Sequence, residues 1–230
     1  MSMAHRRIAL LAAVLASVGA SLASAPGALA LPRAIINQFT GARVIRAEVI
    51  VLAADGTTAQ DYRIDRGAIM LVTPVQLTLR ELNGDVVTVP IDTGTPVQGG
   101  RVGTAGQLRR GMHVVVYQLA GAPAQIVQGD AVNPQFFGPR LVRAEVLIVG
   151  AGGATQDYRI DRGVVMSAVS GTLTLRESDG TTAPLPVDPN AQVAGGGRRV
   201  TATTLRKGTH VVVYRSANAP AELVQVEAGP

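Results

Sequence analysis

Beyond residue 30 the chain alternates apolar and polar residues over short runs, the pattern of half-buried β-strands. Residues 77–80 read Leu-Thr-Leu-Arg, and residues 44–53 are rich in apolar and β-branched side chains. Asp55-Gly56 and Asn83-Gly84 are typical hairpin turns. No long helical periodicity follows residue 30, and only one helical turn is predicted, between Thr104 and Arg110. Strands are predicted over the following segments: Val44–Ala53, Ala59–Arg66, Ala68–Val72, Leu77–Arg80, Val86–Ile91 and His113–Leu119.

An internal repeat organises the same region. Residues 60–67, Gln-Asp-Tyr-Arg-Ile-Asp-Arg-Gly, recur unchanged as residues 156–163. Aligning residues 44–128 with residues 141–225, with Thr57 and Gly197 left out, gives 43 identical residues in 84 pairs. Chance similarity does not reach this level, so the chain contains two tandem copies, each of about a hundred residues, a usual size for a small domain. We assign residues 31–132 to the first unit and residues 133–230 to the second.

Each unit is expected to fold as a small closed barrel. About five short strands with glycine turns favour closure, because closure removes exposed strand edges. The stretch from Asp65 to Tyr117, together with Leu173–Gly180 and Leu205–Gly208, resembles a family of bacterial secreted domains of unknown function with OB-like small barrels. The predicted fold class is all-β, with two tandem OB-like barrels, each carrying an additional amino-terminal hairpin that lies outside the family pattern. The resemblance implies no activity.

The first thirty residues have the features of a secretory signal peptide. A basic start over residues 1–7 precedes an apolar run over residues 8–22, and residues 28–30 form a small-residue end. Cleavage after residue 30 is predicted, with residues 23–25 as the alternative site. The alternative is an uncleaved membrane anchor, but the apolar run is shorter than the roughly 20 residues that span a bilayer. Once the leader is removed, no stable membrane insertion is expected. We therefore expect an extracytoplasmic protein, secreted or in the cell envelope, exported by the general or the twin-arginine route.

Composition and charge exclude several classes of function. The chain has no cysteine, which excludes disulfide frameworks, thiol catalysis and cysteine-ligated metals. Without its leader it carries 19 basic and 16 acidic residues, too small an excess to predict nucleic-acid binding. The glycine-arginine runs at residues 99–101 and 195–199 could bind an anion, with flexible loops as the alternative. Arg101, Arg198 and Arg199 are the candidate anion ligands.

Paired carboxylates recur in both units. Along an extended strand Asp61, Arg63 and Asp65 share one face, as do Asp157 and Asp161 in the second unit. Glycosidase carboxylates flank a bond from opposite sides, whereas these point the same way with an arginine between them. We therefore expect a self-neutralising, solvent-facing strand, with the intervening tyrosines and isoleucines facing inward.

His113 and His210 are the only histidines after the leader, one in each unit. They are the candidate metal ligands, although a shared site would require the two barrels to meet and to add acidic ligands. The neighbouring sequence offers neither a nucleophile nor an orienting acid, so a structural role is expected. No catalytic residue and no cofactor are predicted.

The sequence leaves three functions open. We favour a noncatalytic protein that binds a partner or polymer in the envelope or outside the cell, since duplication can raise avidity. The alternative is a metal-responsive protein or a hydrolytic enzyme with a site between the barrels, and the third possibility is a structural module. Phe39, Phe136 and Phe137, the only phenylalanines, are expected to be buried rather than to anchor a partner.

Overall fold

The computed structural model describes residues 33–99, 102–129, 131–194 and 204–227. Within these ranges the protein is all-β, as the alternating pattern predicted. The predicted signal peptide, residues 1–30, lies outside the described residues.

The first unit begins with a short helix that the sequence pattern did not predict. Its elements are α1 (Arg33–Thr40), β1 (Val44–Leu52), β2 (Ala59–Val72), β3 (Gln76–Glu81), β4 (Val86–Pro90), β5 (Val97–Gln98), β6 (His113–Leu119) and β7 (Ala124–Gly129). A 3₁₀ turn at Ala105–Gln107 lies where one helical turn was predicted. Strands β5 and β7 were also missed, because β5 has two residues and β7 has mixed polarity.

The second unit repeats this order of elements. It comprises a 3₁₀ turn (Pro134–Phe137), β8 (Leu141–Val149), a 3₁₀ turn (Ala151–Gly153), β9 (Thr155–Val169), β10 (Thr172–Glu177), β11 (Thr182–Ala194), β12 (His210–Ser216) and β13 (Ala221–Val226). Strand β11 spans the positions that β4 and β5 occupy separately in the first unit.

Strand β2 is one continuous strand where the pattern predicted two. Gly67 does not interrupt it, because this glycine is extended and pairs with Glu81 of β3. A Cβ at Gly67 would lie 2.5 Å from the carbonyl oxygen of Arg80, and one at Gly163 would lie 2.6 Å from that of Arg176. The strand therefore needs glycine for close backbone approach, and it serves both the amino-terminal hairpin and the rest of the unit.

In the second unit the strand pairings form a closed cycle that begins and ends at β9. Strand β9 pairs with β10 and β12, β10 pairs with β11, β11 runs parallel to β13, and β13 pairs with β12. The first unit has the equivalent pairings, with β4 on β3 and β5 parallel to β7. Each set of strands surrounds an apolar cluster, which includes Ile69, Leu79 and Val116 in the first unit and Val165, Leu175 and Val213 in the second.

The two amino-terminal hairpins join the units into one sheet. Strand β1 pairs antiparallel with β8, which gives a central sheet of order β12-β9-β8-β1-β2-β6. Glu48 lies opposite Glu145, its equivalent in the second unit. The pairs on either side obey the same symmetry: Arg46 lies opposite Leu147, and Ile50 lies opposite Arg143. In the repeat alignment Arg46 corresponds to Arg143, and Ile50 to Leu147. The units are therefore related by an approximate twofold axis through the Glu48–Glu145 pair.

A shared aromatic core lies under the central sheet. Phe39, Phe136 and Phe137 are 2%, 9% and 2% exposed, so the prediction that they are buried is confirmed. Their contacts cross between units. Phe39 packs on Tyr158 and Tyr214 of the second unit, with ring centroids 5.5 and 6.2 Å apart, and Phe136 packs on Tyr62 and Tyr117 of the first, at 5.0 and 5.1 Å.

Candidate functional site

The predicted carboxylates lie on the polar face of the central sheet. Arg63 Nε donates to both oxygens of Asp65, at 3.1 and 2.9 Å, which is the expected mutual neutralisation. The expected solvent-facing position is wrong for Asp65, whose side chain is fully buried, and for Asp161 of the second unit, which is 7% exposed. This side of β2 continues at Ile69 into the apolar cluster of the first unit. Tyr62 and Ile64 are buried on the opposite side, as predicted.

The second unit distributes its ion pairs differently. Arg159, the equivalent of Arg63, binds Glu145 at 3.2 Å instead of the aspartate two residues along its strand. That aspartate, Asp161, is paired with Arg215 at 3.5 Å. Arg215 occupies the position of Gln118 in the first unit, so one additional arginine accounts for the changed partners.

Two buried glutamates, which sequence reasoning missed, connect the central sheet to the turns after β3 and β10. Arg46 of β1 binds Glu81 at 2.9 Å and Asp85 at 2.8 Å. Arg143 of β8 equivalently binds Glu177 and an aspartate in the following turn. The signal was present in the alternating run Leu-Thr-Leu-Arg-Glu, which places the glutamate on the inward face with the leucines.

Glu81 and Glu177 have the acidity of general acid–base groups but lack access to a substrate. Burial raises the pKa of each carboxyl to about 7, within the range that suits proton transfer near neutral pH. Their side chains are 0% and 1% exposed, and each is held by an arginine. A substrate cannot reach them in this arrangement.

This burial gives an expected pH dependence of stability. The folded-state pKa of about 7 exceeds the ordinary value of 4.5. The two carboxyls therefore contribute most to the stability of the folded protein at pH values below the ordinary pKa. That contribution is lost as the pH rises toward the folded-state pKa. The drop in melting temperature between about pH 5 and about pH 8 should be smaller in a Glu81→Gln, Glu177→Gln variant than in the wild type. Glu222→Gln, at an exposed position, should follow the wild type, and equal drops in all three proteins would contradict the expectation.

The two histidines do not share a site. His113 is exposed at the start of β6, and His210 is partly exposed at the start of β12. Four strands separate β6 from β12 in the central sheet, so the strands that carry the two histidines are about 24 Å apart across the sheet. Across the described residues, no group of three or more histidine, aspartate and glutamate side chains could hold a metal ion. The candidate anion ligands Arg101, Arg198 and Arg199 lie outside the described residues.

A narrow cleft beside the shared aromatic core is too small for a ligand. Tyr62, Tyr117 and Phe136 line it, and its free space is about that of one water molecule. The Tyr117 hydroxyl accepts from the Asn133 amide at 2.7 Å and donates to Gln128 Oε1 at 3.1 Å. Burial raises the pKa of Tyr117, so this hydroxyl stays protonated.

Exposed large apolar side chains are concentrated on the first unit. The described residues include six of them, of which only Val169 belongs to the second unit. The five in the first unit are Leu71, Val75, Leu82, Val86 and Met112. The aligned residues of the second unit are Ser167, Gly171, Ser178, Thr182 and Thr209. At every one of these positions the second unit is small or polar, which sequence reasoning did not identify although the alignment contained the contrast.

Three of these side chains flank or occupy the outward face of β2, β3 and β4. Residues directly opposite one another in a sheet point to the same side, and Leu71 lies opposite Thr78, which lies opposite Thr88. A second row crosses the same strands and contains His113, Ala68, Arg80 and Val86. Val75 lies in the adjoining turn between β2 and β3. These two rows combine apolar groups with an exposed arginine and an exposed histidine, and neither contains a carboxylate.

Comparison with known proteins gives no matching family model, no matching curated protein and no matching solved structure. In the described part of the chain, no helix has the length and apolar character needed to cross a bilayer. The outward face of β2–β4 is the feature from which a function can be argued.

Proposed function

We propose that this chain is an exported, noncatalytic binding protein of two OB-like barrel units, and that the outward face of β2–β4 in the first unit is its docking surface. The observation that carries the proposal is that, among the residues the structure describes, five of the six exposed large apolar side chains belong to one of two equivalent units. Export is proposed from residues 1–30, whose features are those of a signal peptide.

The second unit serves as an internal reference for what the scaffold requires. It has the same strand order with Ser167 and Thr182 in place of Leu71 and Val86, so the shared fold does not depend on apolar residues there. Clustered exposed apolar groups mark interaction sites in soluble proteins. We therefore attribute these groups to a partner.

The strand pairings support the OB-like assignment. In such folds five strands close in a ring, with the third parallel to the fifth, and the second and third strands carry ligands on their outer face. Strands β9, β10, β11, β13 and β12 pair in this order, β12 pairs with β9 again, and β11 is parallel to β13. Strands β3 and β4 of the first unit are equivalent to the second and third strands. The proposed docking surface therefore lies where this architecture commonly binds ligands.

The charge of the surface defines the partner's chemistry. Arg80 and His113 project from it, and no carboxylate lies in the two rows described above. A complementary partner carries an anionic group, a carboxylate, sulfate or phosphate, beside apolar groups. We propose an envelope or extracellular molecule of this kind. Binding is preferred to a metal-responsive or hydrolytic site between the units because the histidines are far apart and the glutamates of unusual pKa are buried.

Replacing surface residues by their second-unit equivalents tests the proposal. The chain without its leader should retain an anionic, apolar-containing component from a detergent extract of the envelope. A Leu71→Ser, Val75→Gly, Val86→Thr variant should retain at least about tenfold less, the effect of losing roughly 1.4 kcal/mol of binding free energy. Val169→Thr, which removes the exposed apolar residue of the second unit, is the matched control and should bind as the wild type does. Equal retention by the triple variant, with an unchanged melting temperature, would rule out this surface.

A further inference from the structure

The contacts between the two units occur in equivalent pairs. The Leu52 amide donates to the Arg140 carbonyl oxygen, and the Val149 amide donates to the Arg43 carbonyl oxygen, both at 2.8 Å. In the repeat alignment Arg43 corresponds to Arg140, and Leu52 to Val149. The contact of Phe39 with the second unit and the contact of Phe136 with the first unit are related by the same symmetry. Each unit therefore presents the same kind of surface to the other.

From this symmetry we infer that each unit carries a self-complementary association surface, formed by its first strand (β1 or β8) and the phenylalanine that precedes it. The partner of this surface is another unit of the same kind. Two molecules can then exchange units, so that the first unit of each chain pairs with the second unit of the other. Such an exchange forms no new type of contact, which is why domain swapping is a low-cost route to a dimer. Within one chain, the connector favours the closed monomer by raising the effective concentration of the two units.

The connector is short and is itself attached to the interface. Strand β7 ends at Gly129, and the next 3₁₀ turn begins at Pro134. Between them, the Val132 amide donates to the Thr40 carbonyl oxygen at 3.2 Å, and Val132 is 1% exposed. Shortening this segment would prevent closure within one chain while leaving the paired surfaces intact. The exchanged dimer would carry two copies of the outward β2–β4 face.

Deleting Asp130 and Ala131 from the full chain tests the inference. We expect the deletion variant to have about twice the wild-type mass by light scattering coupled to size-exclusion chromatography, with an unchanged far-ultraviolet circular dichroism spectrum. A variant with a Gly-Ser-Gly-Ser insertion at the same place should stay monomeric, because a longer connector still permits closure. A deletion variant that is monomeric and as stable as the wild type would overturn the inference.

A second experiment tests the inference even if the deletion variant fails to fold. A protease recognition sequence is inserted after Asp130, and the full chain is cleaved only after it has folded. The two halves should elute together, and unfolding and refolding a mixture of unlabelled and ¹⁵N-labelled cleaved protein should give mixed-label pairs by native mass spectrometry. Halves that separate on cleavage, or pairs that never mix labels, would overturn the inference.

Discussion

Replacing Phe39 with alanine should destabilise the whole protein by about 3–5 kcal/mol, the usual cost of removing a buried phenylalanine side chain. Phe39 is 2% exposed and contacts Tyr158 and Tyr214 of the second unit as well as Phe137. The loss is therefore expected in one cooperative transition that involves both units. Urea denaturation followed by tyrosine fluorescence and circular dichroism measures the change in the free energy of unfolding.

The symmetry supplies a test of this expectation. Phe136→Ala should cost a similar amount, because Phe136 makes the equivalent contacts with Tyr62 and Tyr117. Asn37→Ala, at an exposed position in the same helix as Phe39, should change the free energy of unfolding by less than about 0.5 kcal/mol. Two separate unfolding transitions in the Phe39→Ala variant would show that the units do not share a core.

Gly67→Ala should destabilise the protein by about 1–3 kcal/mol or more, the range for forcing additional atoms into a packed site. The added Cβ would lie 2.5 Å from the carbonyl oxygen of Arg80, and a backbone atom in a paired strand cannot move away without breaking the β2–β3 pairing. Gly163→Ala meets the carbonyl oxygen of Arg176 at 2.6 Å and should have a comparable effect. Thermal and urea denaturation measure both variants.

Gly94→Ala is the matched control for these substitutions. A Cβ at Gly94 would have no heavy atom within 4 Å, and this glycine is exposed. The control should be neutral or slightly stabilising, because alanine restricts the unfolded chain more than glycine does. If Gly67→Ala were as stable as Gly94→Ala, close approach would not be the reason for glycine in β2.

The alternating pattern predicted the strands because burial on one face leaves a period of two. Strand β6 has the predicted bounds, and the hairpin of β1 and β2 follows from its Asp-Gly turn. Two predicted segments form the single strand β2, which was missed because glycine commonly interrupts strands. Gly67 instead lies within the strand, because the carbonyl oxygen of Arg80 in β3 leaves no room for a Cβ. The pairing of β1 with β8 was also missed. Alternation specifies the faces of a strand but does not specify which strand lies along its edge.

The candidate site was predicted only in part, for a related reason. The Arg63–Asp65 pair follows from their spacing, but the burial of Asp65 depends on strands distant in sequence. Glu81 was overlooked because an alternating strand was interpreted only through its leucines. The exposure of Leu71 and Val86 was not predictable from either unit alone, since an apolar residue in a strand is usually covered.

The shared core has a consequence for how the two copies can diverge. A substitution on the inner face of one copy alters the packing of the other, because Phe39 and Phe136 each contact a tyrosine of the opposite unit, so each inner face is constrained by the other copy. The outer faces have no such constraint, and Leu71 and Ser167 occupy equivalent positions. Duplication in this form lets the outer face of one copy change while the joint between the copies preserves the fold.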